Sequence, residues 1–258
     1  MIKKSDLVIP QRKKDAHKGQ SGRCMIAGGS EDYAGALYLA GIAALRAGCD
    51  YVTIFAPEKV AWAVNSLSAD LVTIKLPGAN LGLKHLRKLS LEGYDCLLIG
   101  TGIGKRSDPF IRNLRSDIPK VIDGEAIGAV PIQKLRSSLL TPHTGELRRL
   151  LKASGLSNVE QLQAKLGDNV ILAKGPKDMI MTRDRIVYNG TGNPGMAKAG
   201  TGDVLAGLCA GFAAQGLSLL QSAINASYIN GKAGDILKSR YGYRFIASDL
   251  LDAVKVVV

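Results

Sequence analysis

The stretch Asn193-Pro194-Gly195-Met196-Ala197-Lys198-Ala199-Gly200-Thr201-Gly202-Asp203-Val204-Leu205-Ala206-Gly207 decides how this chain folds. Its first half is a glycine-rich loop, because glycine permits backbone angles and close approaches that other residues do not. The apolar segment 204–215 that follows is long enough to predict a helix. We expect the N–H groups of Gly202, Asp203 and Val204 to lie unpaired at the start of that helix, where the helix dipole favours an anion.

Asp203 is the one ionisable side chain in the first turn of this predicted helix. An acid at that position is often only a cap or a partner of the helix dipole. The segment that follows is apolar on every face, however, which is typical of a helix that is buried all round. An acid at the mouth of a buried helix is positioned for general-base chemistry on a hydroxyl group. The helix N-terminus would then stabilise a transferring phosphoryl group.

The composition indicates a globular protein with a basic surface. Of 258 residues, 46% are hydrophobic and 22% are charged, and 34 Lys and Arg against 22 Asp and Glu give a net charge of +12. Such a charge allows either an anionic small substrate or nucleic acid as the ligand. The basic residues form only short clusters with few aromatic residues between them. The sequence therefore offers no stacking platform, which argues against nucleic-acid binding.

The cysteines and the N-terminal segment indicate a cytoplasmic protein. Four cysteines are dispersed in apolar runs without metal-site spacing, at Cys24, Cys49, Cys96 and Cys209. We expect them to be reduced core residues. Residues 1–17 are charged and lack the apolar centre of a signal peptide, and no run has the roughly 18 apolar residues that a membrane span requires. No membrane association is therefore expected.

Strand-like apolar runs alternate with helix-like segments along the chain. This alternation predicts an α/β fold with a mainly parallel sheet that is covered by helices on both faces. No linker or repeat interrupts it, so we expect one domain over residues 1–258, with residues 1–17 as an N-terminal arm. The predicted strands are 23–27, 51–55, 70–76, 95–99, 120–123, 138–141, 169–173, 179–181 and 185–188. The predicted helices include 33–47, 83–90, 109–115, 204–215, 219–237 and 248–254.

Ligands of such sheets bind at the carboxyl ends of the strands. The loops expected there are 28–30, 100–104, 123–126, 142–146, 174–178 and 193–203. Lys174 and Gly175 end one strand and are placed to approach a phosphate group. The standard nucleotide motifs are missing, because Gly100-Thr101-Gly102-Ile103-Gly104 departs from the dinucleotide-binding spacing and the sequence has no P-loop.

The three histidines carry no catalytic signal by themselves. His143 lies between Pro142 and Thr144, and the simplest interpretation is that Thr144 caps the next helix while His143 is incidental. His17 and His85 lie in polar surroundings and are assigned no role. The spacing indicates neither a Ser–His–Asp arrangement nor a cluster of metal ligands.

The glycine-rich stretch and several other segments resemble a known family. Residues 189–207 closely resemble the signature of the NAD(P)H-hydrate dehydratases, which are ribokinase-like enzymes of metabolite repair and often form the C-terminal half of a bifunctional protein. The Asn193-Pro194-Gly195-Met196 portion is specific, whereas Gly-Thr-Gly-Asp alone fits any ribokinase-like kinase. The other segments that agree are 18–22, 26–30, 33–36, 100–104, 142–146 and 174–175, and the likeness spans roughly residues 15–255.

The resemblance implies a ribokinase-like three-layer α/β/α sandwich and a specific reaction. The enzyme would regenerate NADH or NADPH from the S form of its hydrate, with ADP or ATP as co-substrate and Mg²⁺ as cofactor, releasing AMP or ADP and phosphate. Asp203 would be the catalytic base and a contact of the hydrate. The other implied hydrate-binding positions are Ala36, Gly102, Gly104 and His143. The implied nucleotide-binding positions are Lys174, Gly175, Pro176, Lys177, Asp178, Asn193, Gly200, Thr201 and Gly202. The resemblance assigns no protein ligand to the metal and suggests a homotetramer.

Five residues depart from the pattern of this family: Gly124, Glu125 and Ile127 in one segment, Thr144 and Asp178. Glu125 replaces an aspartate of the usual Asp-Ala-Asp-Ala-Leu segment, which puts a contact on the magnesium side in doubt. Asp178 stands where threonine is usual, and a carboxylate there would repel a phosphate. Thr144 stands where proline is usual. The epimerase half of the bifunctional relatives does not occur in this sequence, so we expect epimerisation of the hydrate to be spontaneous or catalysed elsewhere.

Two other functions share part of these features. A ribokinase-like kinase that phosphorylates a hydroxymethyl substrate would use the same Asp203 and anion site, but Asn193-Pro194-Gly195-Met196 and Pro142-His143 argue against it. A nucleotide- or nucleic-acid-binding module without catalysis would explain the charge of +12, and the retained Asp203 argues against that. The product separates the two enzymes, since a kinase makes a stable phosphate ester and a dehydratase releases free phosphate.

Overall fold

Strands and helices alternate over most of the chain, as the sequence predicts. The computed structural model describes residues 1–12 and 14–257. Within these residues, the strands are β1 (Arg23–Ala27), β2 (Tyr51–Pro57), β3 (Val72–Leu76), β4 (Cys96–Ile99), β5 (Lys120–Ile122), β6 (Ser138–Leu140), β7 (Val170–Ala173), β8 (Asp178–Met181) and β9 (Ile186–Asn189). The α-helices in the same ranges are α1 (Ala34–Arg46), α2 (Glu58–Leu67), α3 (Leu83–Leu86), α4 (Asp108–Asn113), α5 (Thr144–Ala153), α6 (Val159–Ala164), α7 (Thr201–Ala214), α8 (Leu219–Tyr241) and α9 (Ala247–Ala253).

These strands form one sheet in the order β3-β2-β1-β4-β5-β6-β7-β8-β9. The strands from β1 to β7 run parallel, and β8 pairs antiparallel with both β7 and β9 at one edge. Central strands such as β4 are short and continuously apolar, which is typical of parallel strands that are covered on both faces. The strand order reverses at β1, which lies between β2 and β4, and ligands of open α/β sheets bind beside such a reversal.

Helices cover both faces of the sheet. Along β1, Cys24 and Ile26 belong to one buried cluster and Met25 and Ala27 to the other, because successive side chains of a strand point to opposite faces. Helices α1, α2, α7, α8 and α9 pack on the first face. Helices α3 to α6 contribute to the second. This three-layer arrangement confirms the predicted α/β fold.

Helix α7 is the buried centre of the first helical layer. All residues from Val204 to Ala214 are buried, which confirms the prediction of a helix that is apolar on every face. Glycines let its backbone approach α1 closely. A Cβ atom on Gly207 would lie 2.2 Å from the carbonyl oxygen of Ala40, and one on Gly211 would lie 2.5 Å from that of Ala44. The four-residue spacing on both helices places these contacts along one line.

The start of α7 differs from the prediction. The helix begins at Thr201, three residues before the predicted Val204, because Gly200 takes a left-handed conformation (φ 92°) that ends the loop there. The N–H of Val204 donates to the carbonyl oxygen of Gly200 at 3.1 Å, so the prediction that this group is unpaired is wrong. The unpaired N–H donors of a helix belong to its first turn. Because α7 begins earlier than predicted, its first turn lies nearer to Gly202.

Other element boundaries differ modestly from the predictions. Helix α3 ends at Leu86 instead of residue 90, whereas α8 extends to Tyr241. In the predicted N-terminal arm, residues Lys4–Asp6 form one 3-10 turn, and the N–H of Ile2 donates to the carbonyl oxygen of Tyr188 at 2.8 Å. The start of the arm, at Ile2, therefore lies against the hairpin edge of the sheet. None of the helices within the described ranges is both long enough and apolar enough to cross a membrane.

Candidate active site at the carboxyl ends of the strands

Asp203 lies in the first turn of α7, at the edge where the parallel strands end. Its carboxyl group is largely shielded from water. This burial, with a smaller contribution from the nearby carboxylate of Asp123, raises the pKa of Asp203 from an ordinary 3.8 to about 7, while Lys174 opposes the shift. A carboxyl group that titrates near neutral pH is matched to proton transfer, so the geometry and the pKa both suit a general base.

Asp123 follows β5 and lies beneath the glycine-rich turn after β4. Gly100 has φ 111°, and a Cβ atom on it would lie 1.9 Å from the carbonyl oxygen of Asp123, so glycine is required for the two loops to meet. The carboxylate of Asp123 is nearly buried and accepts a 2.6 Å hydrogen bond from the hydroxyl of Thr141. Two neighbouring strands thus fix the orientation of this acid.

Lys174, at the end of β7, lies between two acids from other elements. Its Nζ donates to Oδ1 of Asp123 at 3.0 Å and lies 3.7 Å from Oε2 of Glu146, in the first turn of α5. Burial works against the positive charge of Lys174, but these two carboxylates outweigh burial, so the pKa of the lysine is raised. Burial also raises the pKa of Glu146 against the attraction of Lys174. We call Asp123, Glu146, Lys174 and Asp203 the acidic cluster.

The acidic cluster suits a divalent cation only when phosphate supplies further ligands. Among the residues that the structure describes, no group of three or more His, Cys, Asp or Glu side chains is placed to hold a metal ion. Lys174 already occupies the space between two of the acids. The fully ionised cluster nevertheless carries three negative charges against one positive charge. Mg²⁺ commonly binds one or two carboxylates together with substrate phosphates and waters, and this donor set fits that mode.

His143 is the cap of α5, so the interpretation that Thr144 caps this helix is wrong. Its Nδ1 accepts hydrogen bonds from the N–H groups of Gly145 at 2.9 Å and Glu146 at 3.4 Å. The side chain of Glu146 accepts in turn from the N–H of His143 at 2.8 Å, which completes a reciprocal cap. The Nε2 atom of His143 lies 3.4 Å from Oε1 of Glu146, so this histidine adjoins the acidic cluster.

The assessment that His85 lies in polar surroundings is also wrong. Its side chain is buried, its Nδ1 accepts from the N–H of Gly82 at 2.9 Å, and its Nε2 lies 3.0 Å from the carbonyl oxygen of Pro77. Burial lowers the pKa of His85, which favours the neutral ring that this pair of contacts requires. The residue is structural, and it shares no contact with the acidic cluster.

The structure brings together Ala36 and Gly102, two of the positions that the resemblance assigns to the hydrate. A Cβ atom on Gly102 would lie 3.0 Å from Cβ of Ala36, so the glycine turn after β4 rests on the start of α1. A Cβ atom on Gly104, two residues on, would lie 3.4 Å from Oδ1 of Asn80 and 3.7 Å from Cβ of Ser30. The turn that carries both glycines begins at Gly100, which packs on Asp123. The glycine turn therefore connects Ala36 on one side with the loop of Asp123 on the other.

The loop after β7 is closed by Asp178. Its carboxylate accepts from the N–H of Gly175 at 3.2 Å and from the hydroxyl of Ser227 at 2.7 Å. Burial raises the pKa of Asp178, against the effect of these hydrogen bonds. Asp178, which stands where the family usually has threonine, thus has a structural partner on α8. Its carboxylate is turned to that helix. Pro176 and Lys177, at the tip of the same loop, are exposed.

The implied nucleotide residues of the glycine-rich loop are held by contacts within the protein. Oδ1 of Asn193 accepts from the N–H of Gly195 at 3.0 Å, while Nδ2 donates to Asp235 of α8 at 3.1 Å. The hydroxyl of Thr201 is within 2.7 Å of the carbonyl oxygen of Met196. These side chains shape the loop. Gly202, in contrast, borders the acidic cluster, since a Cβ atom there would lie 3.3 Å from Nζ of Lys174.

Glu125, the other charged departure from the family pattern, is paired as well. Its Oε2 accepts from Nη1 of Arg149 at 2.6 Å, and Nη2 of the same arginine donates to the carbonyl oxygen of Gly124 at 3.3 Å. Both side chains are partly exposed. The ion pair ties the loop after β5 to α5 beside the acidic cluster.

Sequence reasoning placed the right loops together but left several side chains out of the site. Asp123, Glu146 and Thr141 were not assigned a role, although the first two lie in loops that were expected at the carboxyl ends. An acid that directly follows a buried strand was the available signal for Asp123. Nothing in the sequence pairs Asp235 with the distant Asn193, because their contact depends on how α8 packs.

Comparisons with known proteins identify the family of the chain. A family model described as NAD(P)H-hydrate dehydratase matches residues 24–255. The ADP-dependent (S)-NAD(P)H-hydrate dehydratase of Cenarchaeum symbiosum is 34% identical over 97% of this chain and 93% of its own length. The bifunctional NAD(P)H-hydrate repair enzyme of Methanothermobacter thermautotrophicus is 37% identical over 98% of this chain. The match covers 52% of that enzyme, so the chain spans about half the length of such bifunctional relatives.

Solved structures show the same fold. An ADP/ATP-dependent NAD(P)H-hydrate dehydratase from Bacillus subtilis, co-crystallised with ATP and Mg²⁺, matches with a TM-score of 0.81 and 26% identity over 95% of this chain and 91% of its own. A ribokinase from Thermotoga maritima shares the fold alone, with a TM-score of 0.59 and 14% identity over 91% of this chain and 99% of its own. The predicted ribokinase-like fold is thereby confirmed. On the family match and these relatives, the chain belongs to the NAD(P)H-hydrate dehydratases, a family of hydro-lyases.

Proposed function

We propose that this chain dehydrates the S form of NADH or NADPH hydrate at the expense of ADP or ATP. The observation that carries the proposal is Asp203, a shielded acid with a pKa of about 7 in the first turn of a buried helix, beside Lys174. The printed names of two relatives support the substrate and the nucleotide, since one is an ADP-dependent (S)-NAD(P)H-hydrate dehydratase and the other uses ADP or ATP.

We assign the hydrate to the side of Asp203 that faces α1 and α5. Ala36, Gly102 and Gly104 would form a wall without large side chains, against which a flat ring can lie. His143 would offer its exposed ring at the other side. The nucleotide would extend from Gly202 along residues 174–178, with the backbone of the glycine-rich loop as its second wall. Asn193, Gly200 and Thr201 would act there by holding the loop in shape.

The residues support a mechanism in which the hydroxyl of the hydrate is phosphorylated, so that phosphate leaves in place of hydroxide. Asp203 takes the proton of the hydrate hydroxyl while that oxygen forms a bond to the terminal phosphorus of the nucleotide, and the bond to the bridging oxygen breaks. Lys174 and the N-terminus of α7 stabilise the negative charge that develops on the transferring group. The ring nitrogen lone pair then expels phosphate, and loss of a proton from the adjacent carbon restores the dihydronicotinamide.

Bound Mg²⁺ would neutralise charge on the nucleotide phosphates and align the terminal phosphoryl group. Asp123 is the carboxylate through which the protein would hold it, since Asp203 acts as the base. We also propose that the chain acts in the cytoplasm and assembles as a homotetramer, as the family resemblance suggests.

The experiment that tests the function follows the near-ultraviolet absorbance of the dihydronicotinamide. Folded protein is mixed with (S)-NADH hydrate and Mg²⁺, with ADP or ATP or without nucleotide. The proposal predicts a rise in absorbance that requires nucleotide, and the better nucleotide identifies the preferred co-substrate. No rise with either nucleotide, together with phosphate-ester formation on a hydroxymethyl alcohol, would instead establish a kinase.

A further inference from the structure

A cavity lies on the second face of the sheet, away from the acidic cluster. Its volume is about 510 Å³, and it opens between α4 and residues 126–136. None of the four groups of the acidic cluster lines it. Its floor is apolar and is formed by Ile99, Ile122 and Leu140 of three adjacent strands, with Val130 and Leu135 at the side. We call it the lateral cavity.

The rim of the lateral cavity carries a large excess of positive charge. Asp117 is the one acid among the lining residues. The cationic residues that line the cavity are five: Arg112, Arg115, Lys120, Lys134 and Arg136. Arg112 lies 3.9 Å from Asp108, outside the cavity. Within residues 1–12 and 14–257, the other four cations have no carboxylate oxygen within 4.0 Å. The rim therefore holds positive charge that the protein offsets only in part, through the more distant Asp117 and Asp168.

Lys120 is the most informative of these cations, because it is buried. Its exposed fraction is 8%, and its Nζ donates to the carbonyl oxygens of Ser116 at 3.0 Å and Ile118 at 3.3 Å. A buried charge without a counter-charge is costly. Burial accordingly lowers the pKa of Lys120, and the more distant Asp117 and Asp168 offset this only in part. An anion in the lateral cavity would supply the missing counter-charge.

Two arginines at the rim are held in place by backbone carbonyl groups. Nη1 of Arg115 donates to Leu114 at 3.0 Å, and Nη1 of Arg136 donates to Leu135 at 2.7 Å. Each contact uses one nitrogen of the guanidinium group, which has five N–H donors, and leaves other donors free. Pre-positioned donors lose less side-chain entropy when they bind a planar or tetrahedral anion.

We propose that the lateral cavity is a second binding site, which takes a small molecule with one anionic group and an apolar body. The anionic group would lie against Lys120 and the rim cations, and the apolar body would cover the floor between β4 and β6. The volume falls within the range of small-molecule sites, about 300 to 1,000 Å³. An inorganic anion alone would leave the apolar floor uncovered. The proposal does not depend on the chemistry at Asp203.

The test uses anilinonaphthalenesulfonate, a dye with one sulfonate and an apolar ring system, in calorimetric titrations of the full chain. Replacing Arg115→Glu and Lys134→Glu together should raise the dissociation constant about tenfold or more, because both rim positions become repulsive. Lys4→Glu is the matched control, since it reverses the charge of an exposed lysine on the N-terminal arm, and it should change binding less than about twofold.

A second variant tests the apolar part of the site without changing charge. Val130→Phe should fill the lateral cavity and weaken binding of the dye to a similar extent, with thermal unfolding measured to establish that the variant folds. Dye binding that is absent from the wild-type protein, or that neither variant changes, overturns the proposal. A change in sedimentation mass in the Arg115→Glu, Lys134→Glu variant with unchanged dye binding also overturns it, and assigns the face to contact with a second copy of the chain.

Discussion

At the scale of single residues, the position of Asp203 disfavours the ionised form of its carboxyl group. The protein holds its carboxyl group where burial and a neighbouring acid disfavour the ionised form, and Lys174 restores only part of the balance. A surface cap would titrate near its ordinary pKa and would help the helix. The raised pKa therefore supports the proposal that Asp203 is placed for proton transfer.

Replacing Asp203→Asn should abolish dehydration and stabilise the fold. Between pH 4 and 7 the folded protein keeps a proton on Asp203 that the unfolded chain has lost, so this group makes stability fall as pH rises through that window. Asparagine does not ionise, so the variant does not lose this stability as the pH rises. We expect a gain of about 2 to 4 kcal/mol at pH 8 and a smaller gain at pH 5, measured by denaturant unfolding. A variant that turns over at the wild-type rate would show that Asp203 is not the base.

Replacing Lys174→Met should shift the pH dependence of turnover. Activity requires ionised Asp203, so kcat/KM should rise with pH through about 7 in the wild-type protein. Without the lysine charge the pKa of Asp203 rises further, and the acidic limb of the profile should move upward by about one pH unit. Lys165→Met, at an exposed lysine after α6, should leave the limb in place. An unshifted limb in Lys174→Met would mean that the lysine does not influence the base.

Individual side chains were the least predictable part of the site. Asp203 and Lys174 follow from their positions at a helix start and a strand end. The capping role of His143 does not, because serine, threonine, asparagine and aspartate are the usual caps, and threonine follows it directly. The partner of Asp178 could not be inferred either, since Ser227 is 49 residues away and reaches it only through the packing of α8.

At the scale of elements, the α1–α7 pair positions both the proposed base and the proposed wall of the hydrate site. Gly207 and Gly211 of α7 lie against the backbone of α1, whose first turn carries Ala36. The distance between Asp203 and Ala36 is therefore set by two rigid helices in close contact. The apolar run of α7 predicted its burial, but the sequence did not indicate that α1 is its partner.

Replacing Gly207→Ala should destabilise the fold, although alanine is the better helix former. The added Cβ would lie 2.2 Å from the carbonyl oxygen of Ala40, and the two helices must separate. We expect a net loss of about 1 to 3 kcal/mol in thermal or denaturant unfolding. Gly35→Ala on α1 is the control: nothing lies within 4 Å of its added Cβ, so stability should be unchanged or slightly higher. Equal stability of the two variants would contradict this account of the helix contact.

At the scale of the whole molecule, the sheet gathers loops that are far apart in sequence. Residues 123, 146, 174 and 203 lie together because parallel strands end at one edge. Alternation of strands and helices was enough to predict this convergence. It was not enough to predict element ends, because capping and left-handed glycines such as Gly200 decide them locally.

The proposed assembly makes a prediction at the same scale. Tyr243 and Ile246, in the segment between α8 and α9, are 54% and 57% exposed. Neighbouring exposed apolar side chains are typical of protein contacts. We expect the wild-type protein to sediment as a tetramer and Ile246→Glu to sediment as a smaller species. A monomeric wild-type protein, or a tetramer that the substitution leaves intact, would contradict this assignment of the contact.

The most direct test of the central claim follows the oxygen atom that leaves the substrate. The hydroxyl oxygen of (S)-NADH hydrate is labelled with a heavy isotope, and the products with Mg²⁺ and nucleotide are examined by phosphorus NMR. Phosphoryl transfer to that oxygen, with Asp203 as the base, predicts that the label appears in the released phosphate in equal amount to the NADH formed. Label in water, with unlabelled phosphate, would contradict the mechanism even if NADH were produced.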